Sequence, residues 1–238
     1  MTAFTYSDGD LPLIGERWEP VGPANGRAML VAHEADGIGG NVRRHAALLA
    51  EQGYAVFAAD LHGHGRVLAG DDMMAAVQRF RADPALFRRR VRAGLDAMLA
   101  ETGLPPARAA AMGYCFGGSA VLELARSGAE LAAVASFHGL LTTAAPAQAG
   151  EVHTKILACT GALDPLVPPE DVTAFQQEMM AAGADWQLIV YGRALHSFTN
   201  VDVEQLGDPR MAYDAAAEAQ SWSALLGFLD TAFASGEA

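Results

Sequence analysis

Ala109-Ala110-Ala111-Met112-Gly113-Tyr114-Cys115-Phe116-Gly117-Gly118 is the stretch on which the reading of this chain turns. Its first four residues are apolar, as expected of a strand buried on both faces of a sheet. They run into Gly113-x-Cys115-x-Gly117, and a helix is expected from there to about Ala125. That is the strand–turn–helix context of a G-x-S-x-G elbow, with cysteine in place of serine. Glycines without a Cβ let the backbone double back and let neighbouring segments come close. The thiol then projects above the sheet at a helix N-terminus, where unpaired N–H groups and the helix dipole favour a thiolate and a developing oxyanion. The plainer reading is a small buried thiol beside ordinary glycines. It leaves the preceding strand, the following helix and Gly118 without a shared reason.

Working outward, similar apolar runs at 28–32, 54–59, 131–137, 156–160 and 187–191 are expected strands. Helices are expected at 41–52, with Asn41 as N-cap, and at 84–101, 169–182 and 213–233. The last should turn Ala215, Ala219, Trp222, Leu226 and Leu229 inward. Residues 4–6 and 13–18 flank Ser7-Asp8-Gly9-Asp10 and read as an antiparallel hairpin. Strands alternating with helices predict a mostly parallel sheet covered on both faces. No repeat or linker divides the chain, so one domain over 1–238 is expected, with 139–150 a surface excursion. The segment 66–83, carrying Leu68, Met73, Met74 and Phe80, fits either a partial lid over the pocket or a helix packed on the sheet.

A chain of 238 residues can bury a large core without a metal or disulfide staple. Its two cysteines, Cys115 and Cys159, make no disulfide framework. The formal net charge of −12 argues against nucleic-acid partners. The one basic cluster, Arg88, Arg89, Arg90 and Arg92, reads as a solvated helix face. With no apolar run long enough to span a bilayer, a soluble cytoplasmic protein without membrane partners is expected, as monomer or homodimer.

A nucleophile needs a base, and seven histidines are available. His196 alone follows the last expected strand, at the sheet edge where the elbow opens. His45 and His153 read as solvated. The base in turn needs a carboxylate to fix its tautomer. Asp164, in Gly161-Ala162-Leu163-Asp164-Pro165-Leu166-Val167-Pro168, follows the strand ending at Thr160, in a loop stiffened by two prolines. Asp171, near a helix start, reads as a dipole partner. Nucleophile, acid and histidine then come in α/β-hydrolase order.

Taken together, Gly-Tyr-Cys-Phe-Gly-Gly at 113–118, Gly-Ala-Leu-Asp-Pro-Leu-Val-Pro at 161–168, Tyr-Gly-Arg-Ala-Leu-His-Ser-Phe at 191–198, His33-Glu34 and Ala59-Asp60-Leu61 resemble the dienelactone hydrolase family, the cysteine branch of the α/β-hydrolases. The resemblance covers about residues 10–232. It implies hydrolysis of small esters or lactones through a thioester, with no cofactor. It implies that Glu34 contacts the resting thiol, and that the backbone N–H groups of Ala35 and Phe116 form the oxyanion hole. Family members acting on carboxylate-bearing dienelactones place arginines around the pocket. After His196 this chain has Ser197-Phe198-Thr199-Asn200 instead, and the second anchor falls near His64 or Arg66. A neutral ester or lactone is therefore the expected substrate, with Phe116 and Phe198 flanking the cleft. Activated phosphotriesters are an alternative substrate for the same thiol. Two further classes are weaker. Asp60, His62, His64 and His33 suggest a metal site, but a His-x-His pair alone is a poor metal signal. A thiol sensor on a hydrolase fold would leave the Asp and His without a purpose.

Overall fold

The computed structural model describes residues 1–234. Eight strands form one sheet: β1 (Thr2–Asp8), β2 (Leu11–Trp18), β3 (Ala28–Ala32), β4 (Ala55–Ala59), β5 (Ala109–Tyr114), β6 (Ala133–Phe137), β7 (Lys155–Gly161) and β8 (Trp186–Tyr191), in the order β1-β2-β4-β3-β5-β6-β7-β8. From β4 to β8 every pairing is parallel. The β1–β2 hairpin pairs antiparallel internally, and β2 pairs antiparallel with β4. The hairpin strands are longer than expected, and β6 begins two residues later than the apolar run.

Side chains alternate between two cores. Ala28, Leu30 and Ala32 of β3 face one side; Met29 and Val31 face the other. The first core is covered by α3 (Pro84–Thr102), α4 (Phe116–Arg126) and α5 (Pro169–Ala182), with α2 (Gly70–Ala82) contributing Phe80. The second lies under α1 (Gly40–Glu51) and α6 (Ala215–Ala234). Because β3, β5, β6 and β7 all end at the same edge, the loops that follow them converge there. In open α/β sheets that edge is where ligands bind.

Several local expectations change. Asn41 does not cap α1, which starts one residue earlier after an extended Gly39. Its side chain instead donates to Thr199 Oγ1 at 3.4 Å. The phase of α6 also differs: Ala217, Ser221, Leu225, Phe228, Leu229, Ala232 and Phe233 face inward, while Ala215 and Ala219 are exposed. That helix is alanine-rich and apolar nearly all round, so its pattern does not fix its rotation. His45 is buried against Trp222 and Tyr114, with Nε2 3.5 Å from Glu218, and is not solvated. The arginine cluster is a solvated face only in part. Arg90 is buried, pairing with Asp8 at 2.9 Å and donating to the Leu61 carbonyl at 2.7 Å, so it ties α3 to the hairpin. Arg88 pairs with Glu123, while Arg89, paired with Asp8, and Arg92, paired with Asp96, lie on the solvated side. Met73 in α2 lines the cavity beside Cys115, while Phe80 anchors the same helix in the core.

Candidate active site

Cys115 stands between β5 and α4 with φ 52° and ψ −115°, a conformation that costs a non-glycine residue strain. The turn closes because its glycines leave no room for side chains. A Cβ on Gly117 would lie 2.1 Å from the Ala32 carbonyl oxygen, and one on Gly113 2.1 Å from the Gly117 carbonyl oxygen. The Cys115 N–H is shared between the Phe137 carbonyl at 3.0 Å and His138 Nδ1 at 3.1 Å. Cys115 is half-buried. Cys159 is sealed in the core, and burial pushes its thiol up to about 12.

His196 and Asp164 arrive from the loops after β8 and β7. The Cys115 sulfur lies 3.1 Å from His196 Nε2, and His196 Nδ1 lies 2.7 Å from Asp164 Oδ2. The other oxygen, Asp164 Oδ1, accepts the Leu166 N–H at 2.8 Å, which fixes the carboxylate plane. The His196 backbone is held by Arg210 and Ala212. Burial opposes a charge on His196. The neighbouring Cys115 sulfur and the bond to Asp164 outweigh it, pushing the imidazole up to about 10.

A cavity of about 270 Å³ opens over the thiol, lined by Glu34, Asp36, Met73, Asn200, Leu206 and Met211 among others. Among the described residues lining it, none is lysine or arginine. Glu34 is buried. Burial and the neighbouring Asp36 raise its carboxyl to about 7, against the bond from Asn200 Nδ2 to Glu34 Oε2 at 3.1 Å.

The chain matches the model of the dienelactone hydrolase family over residues 16–233. It belongs to the dienelactone hydrolase family. It is a hydrolase of ester bonds, built on the α/β-hydrolase fold. A dienelactone hydrolase-like promiscuous phosphotriesterase from metagenomic libraries is 38% identical, with a TM-score of 0.88 over 96% of both chains. A second solved structure, m3DLH, is 38% identical, with a TM-score of 0.91 over 97% of both chains. A Caenorhabditis elegans protein, K02A2.1, is 36% identical over 148 residues, which are 61% of this chain and 93% of that one.

Within this dienelactone hydrolase fold, several expected neighbours of the thiol lie elsewhere. Glu34 does share the cavity with Cys115, the sulfur being bonded to His196 and the Glu34 carboxylate to Asn200. Phe198 is fully buried between His138 and Tyr191, and the Phe116 ring stacks on Phe87 at 4.8 Å, so neither flanks the cleft. His64 and Arg66 are not among the cavity's lining residues. The Asp60 carboxylate accepts the N–H groups of Ile14, His62, Gly63 and Gly65, which curls that loop toward the hairpin. Arg66 donates to the Gly63 and His62 carbonyls there. Among the described residues, no three His, Cys, Asp or Glu side chains are grouped to hold a metal ion.

Phe116 opens α4, so its N–H has no acceptor within the helix. The peptide joining Glu34 to Ala35 is oriented by His33, whose Nδ1 lies 2.6 Å from the Glu34 carbonyl. His33 Nε2 accepts the Leu61 N–H at 3.0 Å, so the proton sits on Nδ1. Burial and the neighbouring His62 hold His33 down at about 3, hence neutral. His138, Thr199 and Asn200 were not legible as site residues. The available signal was positional: His138 directly follows the strand that neighbours the elbow strand.

Proposed function

We propose that this protein hydrolyses small neutral carboxylic esters or lactones through Cys115, His196 and Asp164, with a thioester intermediate. The observation that carries the reading is the continuous run of bonds from Asp164 Oδ2 through His196 to the Cys115 sulfur, at 2.7 and 3.1 Å. His196 takes the thiol proton, and Asp164 stabilises the resulting imidazolium. The thiolate attacks the acyl carbon, and the N–H groups of Ala35 and Phe116 receive the oxyanion. Collapse breaks the C–O bond, and His196 returns its proton to the leaving alkoxide. Water then gives a proton to His196 and attacks the thioester, releasing the acid and restoring the thiol. Losing one oxyanion donor in such sites costs about 3 kcal/mol of transition-state stabilisation.

Cys115→Ala should abolish turnover of a p-nitrophenyl ester while circular dichroism stays that of the wild type. Undiminished turnover in that variant would end the proposal. A second reading extends the same attack to phosphorus. It is favoured by the 38% identity to a relative described as a promiscuous phosphotriesterase. A p-nitrophenyl dialkyl phosphate should then be a slow substrate whose turnover is lost in the same variant.

A further inference from the structure

We infer that His138 is a positioning residue that locks the nucleophile's backbone to the loop carrying the base. The inference rests on the proposed role of Cys115 and His196. His138 lies one residue beyond β6, fully buried, with φ 41°. Its Nδ1 faces the Cys115 N–H at 3.1 Å and must accept, because a peptide N–H can only donate. The ring proton therefore sits on Nε2, which donates to Thr199 Oγ1 at 2.8 Å. Thr199 stands three residues after His196 and is itself tied to α1: its hydroxyl accepts from Asn41 at 3.4 Å and its carbonyl from Arg44 at 2.6 Å. One imidazole thus joins the strained elbow to the His196 loop and, through Thr199, to a helix.

Only a neutral imidazole can do this, since a charged ring has two donors and no acceptor. Burial and the nearby charge of His196 hold His138 well below the usual histidine range. The His138 and His196 rings meet edge to face at 5.4 Å, so His138 also fills the wall behind the base without adding a second charge.

The test compares His138→Phe, His138→Asn and Thr199→Val with the wild type and Cys115→Ala. Each is measured for kcat and KM on p-nitrophenyl acetate, thermal midpoint, and the rate of Cys115 alkylation by iodoacetamide at pH 7, read by intact mass. In His138→Phe, kcat should fall roughly 10- to 100-fold with KM within about threefold, the scale of loss when a reacting group is misplaced by an ångström. Alkylation should slow alongside. His138→Asn keeps an acceptor for the Cys115 N–H and should recover part of both rates. Thr199→Val changes little volume, should fold, and should lose kcat in the same sense. The inference is overturned by wild-type kcat and alkylation in Thr199→Val, by wild-type rates in a folded His138→Phe, or by a His138→Asn no better than His138→Phe. The esterase reading fails separately, if Cys115→Ala retains turnover. The alkylation rates would still report whether His138 holds the thiol on His196.

Discussion

Glu34 is the residue on which the chemistry and the stability of this protein pull apart. In the folded state its carboxyl is raised from 4.5 to about 7, by burial first and Asp36 second. Below pH 4.5 the group is protonated whether the chain is folded or not, and it costs nothing. Between 4.5 and 7 the unfolded chain ionises and the folded one does not. Above 7 both are ionised, and the folded state bears the full penalty, roughly 2–4 kcal/mol for a shift of that size. Glu34→Gln should therefore raise the midpoint of urea unfolding at pH 8 and leave it nearly unchanged at pH 4. Equal effects at both pH values would show that the carboxylate is not destabilised. The catalytic candidates were legible residue by residue because each follows a strand at the same sheet edge, and all three lie in short distinctive motifs. His138 and Asn200 were not, because what marks them is a bond to a residue distant in sequence: Cys115 in one case, Glu34 in the other.

At the scale of elements, the elbow depends on close approach of three strand ends and a helix start. Gly117→Ala sets a Cβ against the Ala32 backbone, which cannot yield without moving β3, and should cost about 3 kcal/mol or more. A mild effect on denaturation would mean that the turn is looser than its geometry. The hairpin is fastened differently, by Asp8 to Arg90 of α3, with both side chains buried. Asp8→Ala strands a buried guanidinium and should cost about 3 kcal/mol. Arg92→Ala removes an exposed pair and should change stability by less than about 0.5 kcal/mol. Equal costs for the two would contradict this division. The parallel strands could be read from sequence because residues buried on both faces form continuous apolar runs. The rotation of α6 could not, since alanines on every side offer no polar stripe to exclude. The N-cap of α1 could not either, since its start rests on backbone geometry and Asn41 serves a tertiary bond.

Across the whole molecule, the formal charge of −12 and the Glu34, Asp36 and Asp202 carboxylates at the cavity point one way. Among the described residues, no helix is long and apolar enough to cross a membrane. A carboxylate-bearing ester should have at least about tenfold lower kcat/KM than its neutral isostere at low salt, from like-charge repulsion. That ratio should widen as pH rises through 7, when Glu34 gains its charge, and narrow as salt is added. A flat ratio would remove the carboxylates from substrate choice. The proposed mechanism stands on a covalent bond between substrate and sulfur. The most direct measurement is acid quench of the enzyme during turnover of p-nitrophenyl acetate, followed by peptide mass mapping. An acetyl group on Cys115, absent when His196 is replaced by alanine, is the expected result. Acetylation at another residue, or full turnover with Cys115 never modified, would contradict it.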